Sequence, residues 1–197
     1  MSGSRRLSQA ISEGDGISLI AFVDSAEAAQ AAEQAGAEGI LLGEPPGAVR
    51  DSTNLPILCR REVPPTEAEA GGADAWIVSV RDAGDEEGVI EGLHANVLAL
   101  GLEPVVEVRD EEELALALER VDPEIFLLSG EPADEGEDAL DRVLELLPDI
   151  PAGKLAIASV ELTTRDEVVA LERAGIDGVL VDAERVAALA GGLPPEV

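Results

Sequence analysis

One junction recurs along this chain. Glu33-Gln-Ala-Gly36-Ala-Glu-Gly-Ile-Leu-Leu42 returns as Glu69-Ala-Gly-Gly72-Ala-Asp-Ala-Trp-Ile-Val78 and as Glu172-Arg-Ala-Gly175-Ile-Asp-Gly-Val-Leu-Val181. A worn copy stands at Leu118-Glu-Arg-Val-Asp-Pro-Glu-Ile-Phe-Leu-Leu128. Each copy reads as a helix end, a glycine stop, an acidic turn and a short apolar strand. Glycine suits the position just past a helix because it accepts positive φ without a Cβ clash. Four or five apolar residues in a row suit a strand covered on both faces. Helix-to-strand junctions repeated in this way require parallel strands joined by crossover helices.

The spacing predicts strands over 17–23, 39–42, 56–60, 75–80, 104–108, 125–128, 155–158 and 178–181. Helical segments lie between them: from Ser25 to Gly36, over 47–51, from Pro65 to Ala70, over 85–100, after Asp110, over 138–147, from Thr164 to Gly175, and over 183–190. Asp24-Ser25, Asp110 and Thr163-Thr164 supply N-caps. Eight strands strictly alternating with helices predict a compact (β/α)8 TIM barrel with short βα loops. An open doubly wound sheet is the rival, but it usually carries a glycine-rich phosphate turn after its first strand, and Asp24-Ser25-Ala26-Glu27 is not one. Residues 1–16 read as a flexible lead-in, and 17–193 as a single barrel domain without a long N-terminal extension.

Composition narrows the function classes. Hydrophobic residues make up 46% of 197, enough for one core, but there are two Phe, one Trp and no Tyr, so the core must be aliphatic. Thirteen basic against 42 acidic residues give a net charge of −29, which repels nucleic acid and anionic membranes. The one cysteine, Cys59, excludes an internal disulfide and a multi-cysteine metal site. No cofactor or metal ion is expected. Neither a leader-like apolar segment nor a run of the ~18–20 apolar residues of a membrane span appears, and a cytoplasmic location is expected. The one histidine, His94, reads as an ordinary helix residue. Lys154 is the sole lysine, so lysine-dependent chemistry would have to use that position.

In such barrels the active site lies at the C-terminal ends of the strands. Glu107 stands out there, a carboxylate between Val106 and Val108 in an apolar strand. If the valines face the helices, Glu107 faces the barrel interior. A buried carboxylate needs a partner, and Arg60 on the third strand fits. The pair reads equally as a salt bridge filling the mouth or as a general base with a carboxyl-binding cation. Arg60 and Arg61 are the one adjacent cation pair at a strand end. Arginine forks carboxylate or phosphate but is a poor proton donor, so an anion site is the more credible functional reading. Neutralising nearby acids is the structural alternative. Phosphate usually binds at the last two βα loops, where this chain places Glu161, Asp182 and Glu184, which repel it.

The stretch from Leu55 to Ala187 resembles the indole-3-glycerol phosphate synthase family. Leu55-Pro-Ile-Leu-Cys-Arg60 is similar to the family's Pro-Val-Leu-Arg-Lys-Asp-Phe, and Glu69-Ala-Gly-Gly-Ala-Asp-Ala75 to its Ala-Gly-Ala-Asp-Ala segment. The most specific match is Leu102-Glu-Pro-Val-Val-Glu-Val-Arg-Asp-Glu-Glu-Glu-Leu114 against Leu-Val-Glu-Val-His-Asp-Glu-Glu-Glu-Leu. Lys154 to Val168 aligns with the family's Val-Ser-Glu-Ser-Gly-Ile region, whereas residues 17–54 align weakly. The resemblance implies a TIM barrel and a carboxy-lyase of tryptophan biosynthesis. It places Glu107 at the family's strand-five catalytic glutamate and Arg60 at its strand-three catalytic lysine.

The remaining carry-over departs from the family. The strand-one Glu-x-Lys and the Ser-Pro-Ser-Lys-Gly loop have no counterpart around Ala21 to Ser25. Ser129 replaces a substrate-binding Asn and Glu131 an Arg. Ser159 replaces the strand-seven Glu, Glu161 a phosphate-site Gly, and Asp182-Ala183-Glu184 the strand-eight Gly-Glu-Ser. Glu107 and Arg60 are therefore the candidate catalytic residues, with Arg61, Ser129 and Ser159 as candidate substrate-binding residues. Lys154 precedes strand seven and falls at the opposite end of the barrel. The expectation is a barrel that has lost synthase activity and serves as a regulatory or small-anion-binding protein, with no nucleic-acid or membrane partner. A divergent active synthase, or another lyase using Glu107 with Arg60, is the alternative.

Overall fold

A computed structural model describes residues 6–190, except 15, 62–63, 85, 87 and 131–137. Eight parallel strands close in sequence order: β1 (Ser18–Phe22), β2 (Gly39–Leu42), β3 (Ile57–Cys59), β4 (Ala75–Ser79), β5 (Glu103–Val108), β6 (Ile125–Ser129), β7 (Leu155–Ser159) and β8 (Gly178–Asp182). β8 pairs back onto β1, with Ile20 opposite Leu180 and Phe22 opposite Asp182. The helices α2 (Ala26–Ala35), α3 (Val49–Ser52), α4 (Glu67–Ala70), α5 (Val80–Ala83), α6 (Val89–Ala99), α7 (Glu111–Arg120), α8 (Ala139–Leu146), α9 (Arg165–Ala174) and α10 (Val186–Leu189) connect successive strands or follow the last. This is the single-domain (β/α)8 barrel that the alternation predicts. Boundaries differ by a residue or two, and Val80, expected in β4, opens α5 because Ser79 caps that turn through the Asp82 N–H.

The recurring junction has a physical explanation. Gly36 and Gly175 end α2 and α9 in the left-handed region, at φ 102° and 106°. The worn copy puts Asp122 at φ 42° instead, which a short polar side chain tolerates. The acid of the turn is equally structural. Asp74 Oδ2 accepts the Ile57 N–H at 2.8 Å, and Asp177 Oδ2 accepts the Ala156 N–H at 2.8 Å. Each carboxylate thus satisfies a backbone donor at the start of the preceding strand. Asp74 also holds Arg50 at 2.8 Å.

Strand alternation divides the apolar residues into two sets. Leu19, Ile40, Cys59, Trp76, Val106, Val108, Phe126 and Val179 face the helices. Ile20, Leu41, Leu58, Ile77, Val105, Leu127, Ile157 and Leu180 fill the barrel. The inner set includes two residues that sequence reading left outside the fold. Residues 7–12, expected to be part of a loose lead-in, form helix α1 (Leu7–Ser12), and its buried Leu7 and Ile11 join the barrel interior. Glu103, at the start of β5, accepts hydrogen bonds from the Ser8 backbone N–H (3.2 Å) and hydroxyl. An apolar i, i+4 pair on α1 therefore covers the N-terminal end of the barrel.

Candidate functional site

At the C-terminal end, the same alternation turns Phe22, Arg60, Ser79, Glu107, Ser129, Ser159 and Asp182 toward the barrel axis. Val106 and Val108 face the helices, as expected, and Glu107 faces in. Glu107 is only 4% exposed. Its Oε1 accepts a hydrogen bond from Arg60 Nη2 at 2.7 Å, and its Oε2 lies 3.7 Å from Arg109 Nη2. Two cations flank one buried carboxylate, and this offsets the cost of taking it from water. Arg60 reaches down from the end of β3, where its N–H bonds to Leu42 O, and its side chain stays 41% exposed. Its Nε is buried, one Nη2 proton is used by Glu107, and the side chain is otherwise partly exposed, so the guanidinium is anchored and still partly open to a ligand.

Ser129 and Ser159 are cross-strand partners, and Ser129 is buried. Gly130 follows because a Cβ there would run into the Ala139 carbonyl and Val160. Glu131 and Glu62 lie outside the described residues.

Arg61 does not join Arg60. Consecutive strand residues point to opposite faces. Arg61 therefore turns outward to α4, where it pairs with Glu69 at 2.5 Å. That hydrogen bond holds the Glu69 carboxyl below its ordinary range. Arg61 is thus a clamp between the β3 end and α4, and the mouth has one arginine from this pair. Cys59 also faces the helices. Burial pushes its thiol up to about 12, so it offers no nucleophile to the mouth. Lys154 sits at the opposite end of the barrel, 3.1 Å from Asp122 and 3.3 Å from Glu124.

The rim above β7 and β8 is less uniformly acidic than the sequence suggests. Arg185 Nη1 donates to Leu162 O at 2.7 Å, and its guanidinium lies 3.5 Å from Glu161 and 3.9 Å from Asp182. Glu161 and Asp182 remain largely exposed, at 81% and 69% of their side chains. A cleft of about 260 Å³ opens between this rim and Arg60, floored by Leu41 and Leu180. Phe22 lines it and is 48% exposed, one of two large apolar side chains so exposed among the described residues.

Sequence reasoning missed Phe22, Arg109 and Arg185. Phe22 was legible from alternation, being two residues past Ile20. Arg109 was legible as the next inward position after Glu107. Arg185 ends a short 3₁₀ turn (Ala183–Arg185), whose direction no strand or helix period reports.

A sequence profile of indole-3-glycerol phosphate synthase matches residues 47–186. The indole-3-glycerol phosphate synthase of Acidithiobacillus ferrooxidans is 32% identical over 138 residues, covering 68% of this chain and 51% of that protein. That of Exiguobacterium sibiricum is 33% identical over 138 residues, covering 68% and 52%. The chain therefore spans about half the length of the curated relatives it matches. Among solved structures, an N-acetylmannosamine-6-phosphate 2-epimerase from Clostridium perfringens superposes with a TM-score of 0.68 at 17% identity, covering 88% of this chain and 87% of that one. A thiamine phosphate pyrophosphorylase from Pyrococcus furiosus does so with a TM-score of 0.63 at 16% identity, covering 88% and 94%. Those two share the barrel alone. The profile match spans most of the chain and includes Glu107 and Arg60 at the mouth, and the chain belongs to the indole-3-glycerol phosphate synthase family.

Proposed function

We propose that this chain is a synthase-type barrel that no longer closes the indole ring and instead holds a small anion at Arg60. One observation carries the reading. The end of β3, where the resemblance implies an acid–base lysine, presents Arg60 hydrogen-bonded to Glu107, while the sole lysine is engaged at the other end of the barrel. Arginine keeps its proton through the physiological range, so it binds and orients an anion but does not supply the proton that ring closure needs. The exposed carboxylates of Glu161 and Asp182 also oppose a phosphate at the β7–β8 loops.

The chemistry left to the mouth is recognition. The Arg60 fork is fixed on one side by Glu107, leaving its remaining terminal Nη donors for a carboxylate. A second reading, a divergent synthase or another lyase, draws support from Glu107 itself, a buried carboxylate at the family's catalytic position with two cations beside it.

The two readings separate in one assay. The protein is given the carboxyphenylamino-deoxyribulose phosphate substrate and indole-ring formation is followed. No turnover above background is expected. Turnover that disappears in Glu107→Gln would overturn the proposal in favour of the second reading. Thermal shift with acetate, sulfate and phosphate tests the anion site. Stabilisation by acetate that is lost in Arg60→Ala is expected, and no shift with any anion would overturn it.

A further inference from the structure

The cleft above Arg60 carries more than one charge sign and an apolar wall. On the β3–β5 side, Arg60 holds the buried carboxylate of Glu107 while its own side chain stays 41% exposed. On the β7–β8 side, Glu161 and Asp182 share the single guanidinium of Arg185, at longer distances and with far greater exposure. The cleft therefore has a partly exposed guanidinium on one side and two exposed carboxylates on the other. Phe22 stands beside the anionic side, because it is the register partner of Asp182 across the β1–β8 seam. It presents an exposed ring above the apolar floor of Leu41 and Leu180.

We propose that the mouth binds a small zwitterion with an apolar side chain, with the charge pattern and size of a hydrophobic α-amino acid. Its carboxylate bonds to Arg60, its ammonium faces Asp182 and Glu161, and its side chain covers Phe22. The inference rests on the proposed reading of Arg60 as the anion-binding group and adds the other two contacts. A cleft of about 260 Å³ is below the range of about 300–1,000 Å³ usual for drug-sized ligands and suits a molecule of one amino acid.

Long-range electrostatics favour the same class. The protein carries a net charge of −29, so a phosphate dianion is repelled as it approaches, whereas a net-neutral zwitterion is not. At the rim, a bare anion gains Arg60 but meets two exposed carboxylates. A zwitterion turns those carboxylates into partners. Phe22 then has a reason to be exposed. It is a flat, stiff surface for an apolar group, available at little entropy cost.

The test uses the whole chain and four probes, followed by titration calorimetry at low salt. L-Phenylalanine carries both charges and a ring. 3-Phenylpropionate keeps the ring and the carboxylate, 2-phenylethylamine keeps the ring and the ammonium, and inorganic phosphate keeps only negative charge. Saturable binding of L-phenylalanine is expected, with each half-charged analogue weaker by about tenfold or more, the size of one good charge-assisted contact. Asp182→Asn and Phe22→Ala, both at exposed positions, should each weaken L-phenylalanine by several-fold while leaving the thermal midpoint in place. If 3-phenylpropionate binds as tightly as L-phenylalanine and Asp182→Asn has no effect, the zwitterion inference is overturned while the anion site at Arg60 stands. If phosphate binds best, the inference is overturned by the rim it relies on. If no probe binds, and acetate and sulfate also fail to shift the melting transition, both the inference and the anion reading fall.

Discussion

The Arg60–Glu107 pair decides whether the mouth has a fixed cation, and a double-mutant cycle measures it. The variants are Arg60→Ala, Glu107→Gln and the two combined. Two opposite charges about 4 Å apart attract by about 4 kcal/mol at the effective dielectric of ~20 that suits protein sites. Glu107 is almost fully buried, which preserves that attraction, but the Arg60 side chain is 41% exposed and solvent screens part of it. Halving the gross figure leaves a coupling of about 2 kcal/mol, within the ~1.5–3 kcal/mol range of hydrogen bonds to charged groups. Arg60→Ala alone should cost about 2–3 kcal/mol, below the ~3–5 kcal/mol of a fully buried broken pair. The discount applies because Arg109 still lies 3.7 Å from Glu107.

Urea denaturation gives the four stabilities. A chain of this size converts each kcal/mol into roughly 2–4 °C of melting temperature, which provides a second readout. The built-in control is Arg185–Glu161, a 3.5 Å pair with an 81% exposed carboxylate, whose coupling should stay below about 1 kcal/mol. A coupling at Arg60–Glu107 no larger than the control, or below about 0.5 kcal/mol, would refute the argument. Arg60 would then be an untethered surface arginine, and both the anion site and the zwitterion site would lose their fixed group.

Four further predictions test the frame of the barrel. Leu7→Ala, which empties a fully buried position inside the barrel, should cost about 2–5 kcal/mol by denaturant titration, and a loss under about 1 kcal/mol would mean α1 is dispensable. Thr164→Ala removes the N-cap of α9 and should cost about 1 kcal/mol. In the same cap, the backbone N–H groups of Thr163 and Thr164 hold Glu167 below its ordinary range, so its contribution is complete above the unfolded value near 4.5 and is lost as pH falls. A Glu167→Gln variant should therefore lose stability less steeply than the parent on acidification from neutral pH, and parallel curves would contradict this. Cys59, pushed up to about 12 by burial, should resist a thiol reagent at pH 8 in the folded protein and react once urea unfolds it, whereas rapid labelling of the native state would refute its placement.

The sequence carried the architecture because the barrel is written in local signals. Gly36 and Gly175 end helices where φ must be positive, Ser25 and Asp110 cap helices through N–H groups three residues on, and valines flank Glu107 on the helix-facing side. The site was legible only where parity could be read. Glu107 and Arg60 meet because both are inward positions, and that followed from alternation. Arg61 was grouped with Arg60 because they are neighbours in sequence, and strand geometry makes neighbours point apart. Phe22 was passed over as ordinary strand hydrophobe, since exposure at a strand's last residue depends on what the opposite rim covers. Helix α1 was missed because six residues with two apolar positions form no helix on their own, and its stability comes from the barrel interior it enters.

The two ends of the barrel constrain their residues differently. At the N-terminal end, Asp74 and Asp177 each satisfy a strand N–H, and Glu103 satisfies Ser8. Replacing such an acid leaves a partly or fully enclosed amide without its acceptor, at a cost of about 1–3 kcal/mol. At the C-terminal end, Asp182, Glu161 and the outer part of Arg60 meet solvent, and exchanging them leaves no backbone donor stranded. The acidic turns of the repeat are therefore tied to the backbone of the fold, while Glu161 and Asp182 at the rim are largely exposed. Glu107 is the exception at the rim, buried deeply enough that it requires a cation. Arg60 meets that requirement through its 2.7 Å hydrogen bond to Glu107, so a guanidinium at the end of β3 is compatible with the fold.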